Sequence, residues 1–548
     1  MRKLRLLILG FTLNGSLIIN AQSEFGTPPE LNWLVEFGQD SSSHIISSTV
    51  DSESNVYSFA YAGDAFTFLN EEVEPGLVVF KQNGAGELQW LTQFNGAYAD
   101  IPITGNNICL SQNEDKIAIA ADFDGEITLP DGSNISAVSS GSLLIINMDS
   151  DGAYLSNIVE DISIGYDELS LVMDSQENII ISTHFYNVIE IADSVLIPDQ
   201  GDGLILKYGS NGVLEWFQTI KGNSVNYSVY ATVDNSDEIY LISEDNSDTA
   251  YIGDLIQPML EGDGNILLVK LNSNGIAQWS KLLGASNDII IDYYGWPTDI
   301  IFDGIDHFYI KGWHGSYSIF DDVEINSDYT WNKFIARIDS EGSVDWLYSI
   351  QEASLARDYM HFSSDDEGNV YSGHERVKDS LFFGDDFIYI PSGQPASLIT
   401  SYSVDGTLNW VKEIKSDTLN VDLNSVLVAD SNQVFITGTY RDSMLFANDE
   451  FYSLNRKGFI ALLGDFTIGV EEIFSQDAIK LYPNPSNGWI TIDTDKKIER
   501  IRVLNMKGQI VYSGQFQEQL NLQYLPCGSY ILEAISEKGI FKERLLIQ

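Results

Sequence analysis

Gly86-Glu87-Leu88-Gln89-Trp90 returns as Gly212-Val213-Leu214-Glu215-Trp216, and again from Gly275 to Trp279, Gly342 to Trp346 and Gly406 to Trp410. In each copy the tryptophan stands four residues after the glycine of a polar turn. Asp151-Gly152-Ala153-Tyr154-Leu155-Ser156 keeps the turn but puts serine in the tryptophan slot. Trp33 supplies a first tryptophan with no turn before it. The slots at 33, 90, 156, 216, 279, 346 and 410 lie 57 to 67 residues apart. A period near this length marks a propeller or a solenoid, in which each unit is one small supersecondary structure.

Two further markers keep the same period. A polar turn leading into an alternating strand follows at Asp51 to Tyr57, Asp174 to Ile180, Asp234 to Tyr240, Asp303 to Tyr309 and Asp365 to Tyr371. An apolar strand precedes the next turn, as in Leu77-Val78-Val79-Phe80, Leu143 to Ile146 and Phe334-Ile335-Ala336. With a short variable strand between them, each unit reads as about four strands. A lone sheet with two apolar faces must stack on neighbours to bury both.

The ends of the array separate ring from solenoid. The first unit begins at Leu31-Asn32-Trp33 and lacks the apolar strand that precedes the other tryptophans, while the last ends on such a strand, Phe459-Ile460-Ala461-Leu462-Leu463. Joined, they complete one sheet. The expected fold class is all-β: a seven-bladed β-propeller over residues 22–466, closed by the N- and C-terminal strands of that body. The tryptophans then read as packing between sheets rather than as a glycan platform.

Asp51, Asn55 and Tyr57 share the pattern Asp-x-x-x-Asn-x-Tyr with Asp365, Asn369 and Tyr371. From Leu31 to Phe466 the units resemble the short bacterial β-propeller repeats, although the second unit departs from the pattern. That resemblance implies a surface or secreted protein and supports the fold far more than any activity.

The chain opens with basic Arg2, Lys3 and Arg5, then a mostly apolar run from Leu6 to Ile19, then Ala21-Gln22. This is the order of a secretory signal over residues 1–21, cleaved between Ala21 and Gln22. The run is broken by Asn14, Gly15 and Ser16 and is shorter than the roughly 20 residues a spanning helix needs. No later stretch reads as a transmembrane segment. Beyond Phe466, residues 467–478 read as a linker and 479–548 as a separate module of seven or so short strands, a small Ig-like β-sandwich. Tyr482-Pro483-Asn484-Pro485, Asn487-Gly488, Lys507-Gly508, Pro526 and Gly528 closely resemble, in order and spacing, the type A C-terminal sorting domain of the type IX secretion system of Bacteroidetes. Cys527 departs from the small residue commoner there. The resemblance implies passage through the periplasm, with the type IX translocon and its outer-membrane shuttle barrel as partners. It also implies removal of the sorting domain between Thr467 and Ile479, then release or attachment to surface lipopolysaccharide.

Charge is unevenly placed. From Thr467 onward there are 10 acidic and 9 basic residues, whereas Gln22 to Phe466 holds 70 acidic and 17 basic ones. A field of that sign disfavours nucleic acid and anionic lipid. Cys109 and Cys527 form no disulfide framework. The six histidines form no His-x-x-x-His pair, and no nucleophile elbow, phosphate loop or dinucleotide fingerprint occurs. No catalytic, cofactor or metal residue is therefore expected, apart from weak calcium binding at acidic turns such as Asp122-Phe123-Asp124-Gly125 and Asp149-Ser150-Asp151-Gly152. Tyr293, Tyr294, Trp296, Trp313 and His314 sit in the least regular unit and read as a ligand-binding rim, with Trp296 and Trp313 partly exposed on the same edge. The favoured function is a non-enzymatic secreted or cell-surface passenger, binding or adhering to a surface glycan or protein through loops on one face. The alternatives are an extracellular polymer-degrading hydrolase or lyase, and a structural component of a surface assembly.

Overall fold

The computed structural model describes residues 26–548 except 40–42, 97–106, 140, 163–168, 225, 260–264, 285–295, 316, 321–322, 327–331, 353–361, 378, 384–385, 391–395, 417–419, 431–432, 448, 465–479, 495–496, 499, 506–509, 527 and 537–538. The signal segment with its Ala21-Gln22 junction, Tyr293, Tyr294, Lys507 and Gly508 lie outside the described residues. Every regular element among the described residues is a strand, and no helix there is long and apolar enough to cross a membrane. The chain divides into two units, Met1–Phe466 and Thr467–Gln548.

The first unit is an all-β succession of antiparallel sheets in chain order. Sheet 1 runs His44–Val50, Val56–Ala62, Gly76–Gln82, Leu88–Gly96. Sheets 2 to 6 repeat that up-and-down order and begin at Ile108–Leu110, Ser170–Met173, Asn226–Val233, Trp296–Phe302 and Phe362–Ser364. Sheet 7 takes Val421–Asp430, Gln433–Phe446 and Asp449–Leu463 from the end of the unit and Leu31–Phe37 from its beginning. Trp33 stands opposite Leu462 and Glu36 opposite Phe459. Each first strand lies against the first strand of the next sheet, and that of sheet 7 lies against that of sheet 1.

The near-continuous apolar strands follow from burial on both faces. In Gly76–Gln82, Leu77 and Val79 pack with Ile117, Ile119 and Leu144 of sheet 2. The alternate residues Val78 and Phe80 pack with Phe37 and Ile460 of sheet 7. A period of two with both faces covered leaves no polar side.

The repeated tryptophans staple one sheet to the next. The indole N–H of Trp33 donates to the Gly84 carbonyl at 2.9 Å, Trp90 to Ser150 at 3.0 Å, Trp216 to Ser273 at 3.2 Å and Trp346 to Val404 at 2.9 Å. Each acceptor lies two residues before the turn glycine of the following sheet. That glycine has φ between 76° and 89° and lies under the indole, so a Cβ on Gly152 would come within 2.6 Å of the Trp90 ring. Glycine is therefore required twice, for the left-handed turn and for the close approach.

The variable strand expected inside each unit is instead part of a hairpin, and several such hairpins lengthen the outer strand of the preceding sheet. Ile127 pairs with Gly96, Ile252 with Ile220, Phe383 with Ile350 and Phe446 with Ile414. Pairing of this kind covers outer edges that otherwise invite aggregation. In sheet 1 the hairpin brings Phe66 and Phe68 edge-on to Phe37, with ring centroids 5.0 and 5.2 Å apart.

The second unit has a three-stranded sheet, Lys480–Tyr482, Trp489–Asp493 and Gln519–Asn521, and a four-stranded one ordered Ile510–Gln515, Arg500–Asn505, Gly528–Ser536, Gly539–Ile547. Both supply one core that includes Leu481, Ile490, Val503, Leu520, Leu532 and Leu545.

Candidate functional site

The aspartate markers build the turns between first and second strands. Asp51 Oδ1 accepts the Asn55 N–H at 2.7 Å, while Oδ2 accepts the Asn55 amide at 2.8 Å and the Tyr57 hydroxyl at 3.0 Å. Asp365 repeats this with Asn369 and Tyr371 at 2.8, 2.9 and 2.9 Å. The signature is thus a turn closure made by one carboxylate.

Neighbouring turns are clamped to one another. Ser52 donates its N–H and hydroxyl to Glu114 at 2.7 and 2.8 Å, and Ser175 does the same to Asp237 at 2.8 and 2.7 Å. Lys116 pairs with Glu177, the Asn235 amide reaches the Gly304 carbonyl at 3.0 Å, and Tyr309 donates to Gly368. Ser54 of sheet 1 donates to Gln433 of sheet 7. Ser54, Glu114, Glu177 and Asp237 all take positive φ, near 65°, 59°, 62° and 61°. Such strain in non-glycine residues persists only where surrounding contacts hold it.

These turns border a cavity of about 630 Å³ lined from the first strands of all seven sheets, from Val50, Leu110, Met173, Val233, Phe302 and Ser364 to Leu427. Among the described residues its lining holds hydroxyls and amides such as Thr49, Thr232 and Asn235, but one carboxylate, Glu114, and no histidine. Glu114 is already engaged by Ser52. Cys109 also faces it, with burial pushing its thiol up to about 12, far from a reactive thiolate. In a chain of formal net charge -51 a lining with a single carboxylate stands apart. Among the described residues that line it there is no acid–base pair of the kind glycoside hydrolysis uses.

The expected rim is corrected at Trp313 and His314. Trp313 is 7% exposed with the Lys333 ammonium 5.1 Å over its ring, and His314 is 0% exposed. Strand His307–His314 is packed from both sides, with Phe308 and Ile310 in one core cluster and Tyr309 in another, and Phe320 from the adjoining hairpin lies against His314. Trp296 pairs directly with Trp313 in register. His314 lies 2.7 Å from both the Ser349 hydroxyl and the Gly315 carbonyl. The serine O–H thus faces a histidine nitrogen, but burial holds that histidine down to about 4, too weakly basic for a hydrolase dyad at neutral pH.

Acidic groups elsewhere serve the fold. Among the described residues Asp303, Asp306 and His307 form a group of metal-ligand type. Asp303 Oδ1 already accepts the N–H groups of Ile305, Asp306 and His307 at 2.9, 2.9 and 3.0 Å, and Arg337 contacts Asp303 and Asp345 at 3.3 and 2.7 Å. Asp303 is thus already paired with a guanidinium, and Asp306 with His307. In the calcium-like turns Asp124 accepts the Gly141 N–H at 2.5 Å and Asp149 that of Ala153 at 2.7 Å.

Asp202 is 1% exposed, and burial, opposed by Lys221, pushes its carboxyl up to about 6. A folded pKa above the unfolded one means stability is lost as pH rises from about 4 to about 6. Asp202→Asn is therefore expected to stabilise by roughly 1–3 kcal/mol at pH 8 and by almost nothing at pH 4, read from denaturant melts at both pH values.

In the second unit the motif residues knit the chain end. The Asn484 amide donates to the Arg544 carbonyl at 2.6 Å, and its oxygen accepts the Leu546 N–H at 2.9 Å. A Cβ on Gly488 would sit 2.6 Å from Gln523 Cα, and the Tyr530 hydroxyl donates to the Pro526 carbonyl at 2.7 Å. Residues 480–548 match the family described as Secretion system C-terminal sorting domain. The tail is a type IX sorting domain. The chain is thus a type IX secretion substrate with a secreted or cell-surface fate, and it associates with that sorting system. No curated protein matches the chain. Among solved structures, a protein of unknown function from Dyadobacter fermentans is 8% identical, covering 79% of this chain and 99% of its own, with a TM-score of 0.35. Kuenenia stuttgartiensis hydrazine synthase is 7% identical over 78% of this chain and 97% of its own, with a TM-score of 0.40. Likenesses this distant carry no argument about activity.

Proposed function

We propose that residues 22–466 form a closed seven-bladed β-propeller that serves as a non-enzymatic binding or adhesion passenger, carried out by a tail folded as an Ig-like sandwich. The observation that carries the reading is the cavity lined from the first strands of all seven sheets. The pairing of Leu31–Phe37 with Asp449–Leu463 and the Ser54–Gln433 clamp support closure. The lining favours an uncharged ligand, such as a neutral stretch of surface glycan or of a surface protein, taken at the turn-bordered face. The translocon and its shuttle barrel read the tail, which is removed at the 467–478 linker before release or lipopolysaccharide attachment.

Two measurements test this. Deleting residues 480–548 is expected to hold the body in the periplasm and to lower the cell-surface plus medium fraction at least tenfold; unchanged export would sink the tail's role. The folded body should retain a glycan or protein from cell envelopes at high salt. Loss of every partner there would leave its acidic field as the sole source of attraction and end the binding reading.

A further inference from the structure

At the junction between sheets 2 and 3 the tryptophan itself is replaced. The slot there holds Ser156, whose hydroxyl accepts the Asn147 amide of its own sheet at 3.1 Å. The receiving turn is nonetheless built. Gly212 keeps φ 78°, and Ser210 stands two residues before it, as Gly84, Ser150, Ser273 and Val404 stand before theirs. At Gly86, Gly152, Gly275 and Gly406 a Cβ would meet an indole at 3.0 Å or less, whereas at Gly212 it would meet Ile158 at 3.8 Å and nothing nearer. The cradle persists without its ring.

The same strand, Tyr154–Glu160, departs a second time. Leu155 is 49% exposed at the position occupied by Asn32, Gln89, Glu215, Gln278, Asp345 and Asn409 in the other units. Sheet 2 ends at this strand, as sheet 4 ends at Ala277–Gly284, whereas Leu88–Gly96, Leu214–Lys221, Val344–Glu352 and Leu408–Lys415 each pair with a hairpin strand from the next sheet. Val213, beside the turn, is 60% exposed. An open strand edge, an apolar side chain and an unfilled indole cradle thus coincide.

We propose that this junction is a docking site for a tryptophan-bearing extended strand of another protein. The partner's indole lies on Gly212 and donates to the Ser210 carbonyl, and its backbone pairs along the Tyr154–Glu160 edge. The occupant's chemistry follows from the chain itself, which at four junctions seats an indole on the same turn glycine. Strand addition supplies the backbone bonds and the indole the specificity. This site is separate from the cavity and stands whether or not that cavity takes a ligand.

The test uses the full mature protein and a fluorescently labelled synthetic peptide of residues 86–96, which carries Trp90 in its native strand. Saturable binding is expected by anisotropy, with at least a tenfold loss for the Trp90→Ala peptide and for the Ser156→Trp protein. Ser156→Trp should also melt at a higher temperature, because the internal staple is restored; Ser156→Leu, a smaller filling, should weaken peptide binding in the same direction. Absence of saturable binding, or binding indifferent to Ser156→Trp, overturns the site. A Ser156→Trp protein that melts lower shows the cradle already closed and overturns it too. A concentration-dependent dimer dissolved by Ser156→Trp would make the occupant a second copy and overturn the foreign strand.

Discussion

Deleting residues 26–37 is expected to abolish cooperative unfolding of the body, the largest effect of any short change in the chain. Leu31–Phe37 is the fourth strand of sheet 7, and without it Asp449–Leu463 becomes an exposed edge. Phe37 is fully buried among Phe66, Phe68 and Phe80. Its truncation alone would cost about 3–5 kcal/mol by core precedent. The deletion also removes the Trp33 staple to Gly84, the Glu36 contacts with Tyr440 and Lys457, and the bond from Gly464 N–H to the Glu30 carbonyl. The summed loss reaches the whole stability of a typical domain, about 5–15 kcal/mol. Circular dichroism melts and limited proteolysis read the outcome. A deletion protein that still melts in one sharp transition, within a few degrees of the parent, would show that the two chain ends do not hold the body together.

The repeat was legible because every unit solves the same packing problem. Trp90, Trp216 and Trp346 recur with their glycines since indole and left-handed turn fit one another, and both are costly to vary. What the period hides is that each tryptophan serves the turn of the next unit, not its own: Trp90 lies on Gly152, not Gly86. Slot and turn recur together in every copy after the first, so sequence spacing cannot separate the two pairings. Ser156 was the one break in register between them, and only the geometry at Gly212 gives it meaning. Trp313 and His314 misled for another reason. Lys311-Gly312-Trp313-His314 reads as a polar, glycine-broken loop, yet sheets cover both faces of that strand and Lys333, twenty places along the chain from Trp313, lies over the indole. The cavity was invisible because its lining is drawn a few residues at a time from seven distant strands. The tail was legible because Asn484, Gly488, Pro526 and Tyr530 each make a specific local bond or close approach that few other residues can make.

Replacing Asp174 with alanine is expected to cost about 3–5 kcal/mol at pH 7, because it strands a buried cation. The Lys207 side chain is 4% exposed, that of Asp174 0%, and the ammonium lies 2.8 Å from the carboxylate. Lys207 also donates to the Ser273 carbonyl at 3.0 Å, the same oxygen that Trp216 uses, so the pair anchors sheet 3 to the turn of sheet 4. Burial pushes the Asp174 carboxyl up, but the Lys207 ammonium and the Asn178 amides outweigh it and hold it below the usual carboxylate range. A folded pKa below the unfolded one gives stability that is complete above the unfolded value of about 4 and is lost as pH falls through the folded value. The difference between parent and Asp174→Ala should therefore be full at pH 7 and shrink below pH 4. Lys207→Met in the same protein removes the stranded charge, so the double variant should be more stable than Asp174→Ala alone, though it still lacks the bond to Ser273. Urea melts of the four proteins at pH 7 and pH 3.5 close the cycle. A loss below about 1 kcal/mol, or one independent of pH, would mean that water reaches the pair and that the staples and apolar faces alone hold sheets 3 and 4 together.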